Sequence, residues 1–146
     1  MRLALDLILP ADTRLLAATR RALTLYLKEF GTPAEIVDDV ILALDEACSN
    51  VLVHAFPNGF SQGATYRVRA DLRPERIQID VHDEGVGFDV MAKPPPRDAD
   101  AHLSASGRGL EVMRRLMTTV EIESPTATGG TRLRMVRKLA SPADSD

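Results

Sequence analysis

Near its start, this 146-residue chain has leucines that alternate with Arg2, Ala4, Asp6 and Ile8. Leu3, Leu5, Leu7 and Leu9 occupy every second position, and Pro10 ends the run. Because successive side chains of a strand point to opposite faces, this pattern predicts a strand with one buried face, placed at a sheet edge. Further strands are predicted over residues 65–72, 76–82, 119–123 and 131–139.

Three other segments have the apolar spacing of helices, and we predict helices over about residues 12–30, 33–55 and 110–117. Gly31 is expected to stop the first helix. Thr32 and Pro33 form a start signal for the second, in which Thr32 caps the helix and Glu35 completes a capping box. Residues 89–106 lose all periodicity and are rich in proline, which predicts a long loop of the kind that often forms a lid.

This order of elements predicts one α+β domain over residues 1–140, with a frayed polar tail at 141–146. The expected architecture is a two-layer α/β sandwich. Its mixed, mostly antiparallel sheet would be covered on one face by helices.

The composition limits which classes of protein and which kinds of binding site are possible. The chain is 45% hydrophobic and 27% charged, and it contains no apolar run long enough for a membrane span, so we expect a cytoplasmic protein without a membrane partner. The single cysteine, Cys48, excludes an internal disulfide, and no His and Cys cluster has zinc-site spacing. A bound metal should therefore have oxygen ligands. A net charge of −3 with mostly scattered basic residues argues against nucleic acid as a direct partner.

The second predicted helix contains the first candidate site residues. Glu46 and Asn50 lie one helical turn apart and therefore on the same face. The amide oxygen of Asn50 suits Mg²⁺, and Glu46 can order a water or accept a proton from an attacking hydroxyl. The alternative is that both side chains simply face solvent. His54 is better explained by packing or capping.

Two glycine motifs add to this hypothesis. Asp83 begins D-E-G-V-G-F, and an ionised carboxylate accepts hydrogen bonds only, so Asp83 would bind the exocyclic amine of adenine and repel the carbonyl of guanine. Gly85 and Gly87 would allow a base to approach the backbone closely, although the same residues also suit a simple turn.

The second motif, S-G-R-G-L, precedes the third predicted helix. The amides of Gly107 and Gly109 would lie at a helix N-terminus, where phosphate oxygens are favoured, and Arg108 adds a cation. The alternative is a flexible hinge. The chain has no G-x-x-x-x-G-K-[ST] pattern, which argues against a P-loop fold.

Taken in order, E-A-C-S-N-V-L-V-H-A, D-E-G-V-G-F, G-R-G-L and a later G-G-T resemble the N, G1, G2 and G3 boxes of the GHKL ATPase superfamily. Within it, the chain resembles bacterial anti-sigma-factor serine/threonine kinases. The likeness extends from the first strand to Leu139.

This resemblance implies a Bergerat fold that binds ATP and Mg²⁺ between the helices and the 89–106 lid. Asn50 would hold Mg²⁺, Glu46 would be the catalytic base, and Asp83 would bind the adenine amine. The other implied nucleotide-binding residues are Gly85, Gly87, Gly107, Arg108, Gly109, Leu110 and Thr131, with Thr131 at the adenine end. Such proteins form homodimers, sequester a sigma factor and phosphorylate a STAS-domain anti-anti-sigma protein.

Two other functions remain open at this stage. The run Leu103-Ser104-Ala105-Ser106 lacks the basic residue that this family often has before the G2 glycines, which favours a non-catalytic nucleotide-binding module that switches partners. The third hypothesis is the catalytic fragment of a sensor histidine kinase. It is disfavoured because such proteins need a dimerising helical segment with a phosphoacceptor histidine, and this chain begins directly with a strand.

Overall fold

A computed structural model describes residues 2–54, 63–84, 108–124, 126 and 129–140 of the chain. We number the elements in chain order, with one 3₁₀ turn before the first helix. They are β1 (Leu3–Pro10), the 3₁₀ turn (Thr13–Leu15), α1 (Leu16–Glu29), α2 (Ala34–His54), β2 (Thr65–Arg73), β3 (Arg76–Asp83), α3 (Arg108–Leu116), β4 (Thr119–Glu123) and β5 (Thr131–Lys138).

The five strands form one sheet in the order β1-β2-β3-β5-β4, with β1 at the predicted edge. Helices pack on one face, as predicted. All four strand pairings of the described chain are antiparallel, which agrees with the predicted mostly antiparallel sheet, although no parallel pair is present among them. The reason is the position of β5. The connection through α3 makes β4 point in the same direction as β3, but β5 inserts between them, so no parallel pair is formed.

The ends of α1 differ slightly from the predicted 12–30 segment. Asp12 caps the start, because its Oδ1 accepts from the backbone N–H of Arg14 at 2.9 Å, and a 3₁₀ turn precedes the α-helix. At the other end Gly31 has a φ of 77°. Gly31 N–H donates to the Lys28 carbonyl and Thr32 N–H to that of Leu27, which is a Schellman motif. Gly31 therefore ends the helix as predicted.

Helix α2 lies in the middle of the molecule, in contact with α1, α3 and the strands β3 and β5. Its inward residues are buried among those of the sheet. The α2 members of this core are Val37, Val40, Ala43, Leu44, Ala47, Cys48, Val51 and Leu52. No described helix has the length and apolarity needed to span a bilayer.

One arginine joins three of these elements. Arg137 of β5 donates from Nη1 to Asp39 Oδ2 of α2 at 2.7 Å and to the carbonyl oxygen of Leu116, the last residue of α3, at 2.6 Å. A cation at a helix C-terminus satisfies an unpaired carbonyl and interacts favourably with the helix dipole. Arg137 thus fixes the C-terminal end of α3 to α2 and to the sheet.

The other face of the sheet is polar and has no helix over it in the described chain. The paired positions Asp6, Arg69, Asp80, Arg134 and Glu121 form one row across all five strands. Acidic and basic residues alternate along this row, and Arg134 Nε donates to Asp80 Oδ1 at 2.7 Å. This charge pattern explains why the helices collect on the opposite face.

Candidate functional site

The middle of α2 places the two predicted side chains one turn apart, with Glu46 half-buried and Asn50 only 4% exposed. Asn50 Oδ1 is buried and accepts no hydrogen bond from any residue that the structure describes. A buried acceptor without a partner costs about 1–3 kcal/mol, so such an atom in a native protein needs an explanation, for example a bound ion, a water or a catalytic role. The alternative, that Asn50 faces solvent, is therefore wrong.

The environment of Glu46 alters its acidity. Burial raises the pKa of the Glu46 carboxyl above its ordinary value, and the negative charge of Asp45 adds to this effect. Both causes disfavour the charged form. A carboxylate with a raised pKa is a stronger base than an ordinary surface glutamate.

Asp83 is the last residue of β3 and lies in a row of paired residues on the helix-covered face of the sheet. Its partner on β2 is Tyr66, and its partner on β5 is Thr131. Asp83 is 2% exposed and Thr131 is 5% exposed. The pairing of β3 with β5 therefore brings together two predicted site residues that are distant in the sequence.

Contacts between α2 and β2 join this row to the Glu46 turn. The Tyr66 hydroxyl lies beside the Cys48 thiol, although the two do not meet the geometry of a hydrogen bond. Burial raises the pKa of Cys48 to about 12, which agrees with its prediction as a small core residue. Burial raises the pKa of the Tyr66 hydroxyl, and the adjacent Cys48 thiol and the charge of Asp45 raise it further, so this turn of α2 faces β2.

Gly130 allows the backbones at this end of the sheet to approach closely. A Cβ at position 130 would lie 1.8 Å from the carbonyl oxygen of Asp83 and 2.7 Å from the Cα of Glu84. No other residue type fits such an approach. The G-G-T pattern pointed to this segment, but only the structure shows that the second glycine accommodates Asp83.

Ser124 lies beside the predicted site residue Thr131, a proximity that the sequence did not indicate. Its Oγ lies 2.8 Å from Thr131 Oγ1, and either hydroxyl is able to donate. Ser124 follows β4 directly. A lone serine after a strand has no distinguishing pattern, so this contact could be found only once the pairing of β4 with β5 was known.

Helix α3 begins at Arg108, two residues before the predicted start, and packs against α2. Gly109 is buried in its first turn and Leu110 packs against the core. The first turn of α3 is thus held next to the helix that contains Glu46 and Asn50.

Several predicted features lie outside the described residues: Gly85, Gly87, Gly107, the 89–106 loop, the 141–146 tail, and the side chains of Arg108 and His54. Within the described ranges, no cluster of three or more His, Cys, Asp or Glu side chains is able to hold a metal.

Comparison with known proteins identifies the family of the chain. The model of a family described as the histidine kinase-like ATPase domain matches residues 9–137. An anti-sigma F factor of Clostridium acetobutylicum is 30% identical over 117 residues, which cover 79% of each chain. The serine-protein kinase RsbW of Bacillus cereus is 27% identical over 124 residues, covering 81% of this chain and 76% of the relative.

Solved structures agree on the fold. The RsbU and RsbW domains of a Mycobacterium tuberculosis protein match with a TM-score of 0.67 at 20% identity, covering 95% of this chain and about a third (34%) of that one. The histidine kinase domain of a blue-light-activated kinase from Erythrobacter litoralis matches with a TM-score of 0.53 at 17% identity, covering 85% of this chain and 61% of that one. Because the family model matches nearly the whole length of this chain, the chain belongs to the histidine kinase-like ATPase domain family.

Proposed function

We propose that this protein is an ATP-dependent serine/threonine protein kinase that acts as an anti-sigma factor. The observation that supports this best is the orphaned Oδ1 of Asn50, buried one turn after Glu46 in a chain of this ATPase family. Its relatives include proteins named anti-sigma F factor and serine-protein kinase RsbW.

Asn50 has the chemistry that Mg²⁺ requires. The ion prefers oxygen ligands and keeps several waters while it bridges phosphate groups, so one amide oxygen is a sufficient protein contribution. Bound there, Mg²⁺ would neutralise charge on the phosphates of ATP. Asn50 Oδ1 would then gain the partner that it lacks among the described residues.

Glu46 would act as the base. It accepts the proton of a serine or threonine hydroxyl as that oxygen bonds to the γ-phosphorus, while the bond to the β-phosphate oxygen breaks and ADP leaves. The raised pKa of Glu46 favours this role. If water took the place of that hydroxyl, the same reaction would hydrolyse ATP. The serine or threonine of the protein substrate must therefore occupy the position beside Glu46 that water would otherwise take.

The remaining roles are assigned as the sequence resemblance implies. Asp83 would accept from the adenine amine beside Thr131, and Gly85 and Gly87 would border the base. Gly107, Arg108, Gly109 and Leu110 would meet the phosphates at the N-terminus of α3, where backbone amides attract anions.

The partners form a further part of this proposal. We expect a sigma factor as the sequestered protein and a STAS-domain anti-anti-sigma protein as the phosphoacceptor, with the kinase as a homodimer. The names of the relatives support the class of partner.

A comparison of Glu46→Gln with Glu35→Gln tests the catalytic role. Both changes neutralise a glutamate of α2, but Glu35 is exposed in the first turn, where glutamine also suits a capping box. With Mg²⁺, ATP and the STAS partner, we expect Glu46→Gln to lower the phosphorylation rate at least about a hundredfold. ATP affinity should change little, and Glu35→Gln should resemble the wild type.

The same experiment separates the alternatives. Full phosphorylation by Glu46→Gln would contradict the role of Glu46. Absence of phosphorylation in the wild type, together with ATP-dependent partner binding, would support the non-catalytic switch module instead. A wild-type protein that binds no ATP would contradict both.

A further inference from the structure

We propose that one exposed stripe of α2, formed by Asp38, Leu42 and Glu46, is the surface on which the phosphoacceptor protein docks. The acceptor would place an apolar side chain over Leu42 and a cationic side chain beside Asp38. This inference rests on the proposed kinase activity and adds a substrate-docking surface to it.

The three side chains of this stripe share one face of α2. Each follows the previous one by four residues, which is about one helical turn, so they lie in a row along the helix. Leu42 is 49% exposed, and Asp38 is exposed as well. On the opposite side of the same two turns, Val40 and Leu44 are buried in the core. The stripe therefore faces away from the core.

Ion pairs on both flanks of the stripe leave its middle free for a partner. Asp39 and Asp45 lie about 60° to either side of Leu42 around the helix axis. Asp39 pairs with Arg137 of β5 at 2.7 Å, and Asp45 pairs with Arg20 of α1 at 3.6 Å. Asp38 forms no ion pair with any residue that the structure describes. Its charge is thus available to a cation of another protein.

The position of Leu42 beside the proposed base distinguishes it from other surface leucines, which by themselves are ordinary. Side chains of a helix lean toward its N-terminus, so the Glu46 side chain leans toward Leu42. A serine or threonine hydroxyl that gives its proton to Glu46 must come within roughly 3 Å of the carboxylate. The protein that supplies this hydroxyl is therefore brought over Leu42, where the contact removes apolar surface from water.

The spacing of the stripe specifies the chemistry of the acceptor surface. With a rise of about 1.5 Å per residue, Leu42 lies about 6 Å and Asp38 about 12 Å from Glu46 along the helix. A matching acceptor has an apolar side chain about 6 Å from its phosphorylated serine or threonine, and a lysine or arginine about 12 Å from it. The apolar contact adds affinity, and the opposite charges fix the orientation of the complex.

Steady-state phosphorylation kinetics test this inference in the whole protein, with saturating Mg²⁺-ATP and varied STAS-domain phosphoacceptor. We expect Leu42→Gln, which keeps a good helix former, to raise KM for the phosphoacceptor about fivefold to tenfold. The kcat and the Kd of ATP should be unchanged, as expected for loss of a contact made only in binding. Ile8→Thr is the matched control, because Ile8 is 70% exposed but lies on the open face of the sheet, and it should keep the wild-type KM.

The charge of Asp38 is tested separately by salt. The wild-type KM for the phosphoacceptor should rise with NaCl concentration, because salt screens the attraction between the two proteins. Asp38→Asn should raise this KM about threefold at low salt and should reduce its salt dependence. Glu75→Gln removes an exposed carboxylate from the turn between β2 and β3 and should behave as the wild type. A wild-type KM that does not rise with salt would contradict the cationic acceptor surface.

A wild-type KM in Leu42→Gln would overturn the inference, and so would an equal rise in Ile8→Thr. A lower kcat or weaker ATP binding in Leu42→Gln would show that Leu42 only supports the turn of Glu46. If Leu42→Gln weakened sigma-factor binding or homodimer formation while KM stayed unchanged, a different partner would occupy this face and the inference would be wrong. A wild type that phosphorylates no protein would contradict the proposed function itself, and this inference with it.

Discussion

At the scale of single residues, Glu46, the proposed catalytic base, lowers the stability of the fold when its buried carboxyl is charged. Its pKa is raised first by burial and then by the charge of Asp45. Between the ordinary value and the raised value, the folded state binds more protons than the unfolded state. The free energy of unfolding therefore decreases as pH rises through this window, and above the raised pKa the full cost of the buried charge remains.

Removal of that charge should stabilise the protein at neutral pH. We expect Glu46→Gln to raise the melting temperature by a few degrees at pH 7.5 and by less at pH 4, where the wild-type carboxyl is largely protonated. Thermal melts at both pH values measure the difference. Glu35→Gln, at an exposed position, should show no comparable pH-dependent gain, and an equal gain in both variants would contradict the prediction.

At the scale of elements, the ends of β3 and β5 depend on two consecutive glycines with different requirements. Gly129 has a φ of 99° and open space around its missing Cβ, whereas Gly130 has the Asp83 backbone 1.8 Å from that position. Gly129 therefore allows a turn, and Gly130 allows two backbones to approach closely.

These two glycines provide a matched pair of substitutions. Gly129→Ala should lower the free energy of unfolding by about 1–2 kcal/mol through backbone strain and should leave Asp83 in place. Gly130→Ala should cost about 3 kcal/mol or more, because two backbones must separate, and should also abolish nucleotide binding. Urea unfolding and an ATP titration measure the two effects. Normal ATP binding by Gly130→Ala would contradict this role of Gly130.

Arg137 also acts at the scale of elements, because its hydrogen bonds join β5, α2 and the C-terminal end of α3. We expect Arg137→Met to lower the free energy of unfolding by about 1–2 kcal/mol, because a helix carbonyl and a carboxylate lose a charged donor. Arg134→Met is the control. It breaks a pair of similar length, but on the open sheet face, and should cost under about 1 kcal/mol. If urea unfolding gave the same loss in free energy of unfolding for Arg137→Met and Arg134→Met, the contacts of Arg137 with α2 and α3 would have no special importance.

At the scale of the whole molecule, periodicity predicted the elements but not their partners. The period-two strands and the shared face of Glu46 and Asn50 follow from local geometry, and the structure places both as expected. The insertion of β5 between β3 and β4 depends on packing among distant segments, which no local pattern records. The contacts that follow from it, between Ser124 and Thr131 and between Gly130 and Asp83, were therefore beyond sequence analysis.

The position of β5 also affects when a nascent chain becomes functional. Asp83 is synthesised well before Thr131, yet the two are neighbours only after the last strand has entered the sheet. Contacts between residues so distant in sequence form late, because a long loop must close first. A ribosome-bound intermediate that ends before β5 would lack the adenine end of the proposed pocket, so ATP capture is expected to begin only after this strand has been translated.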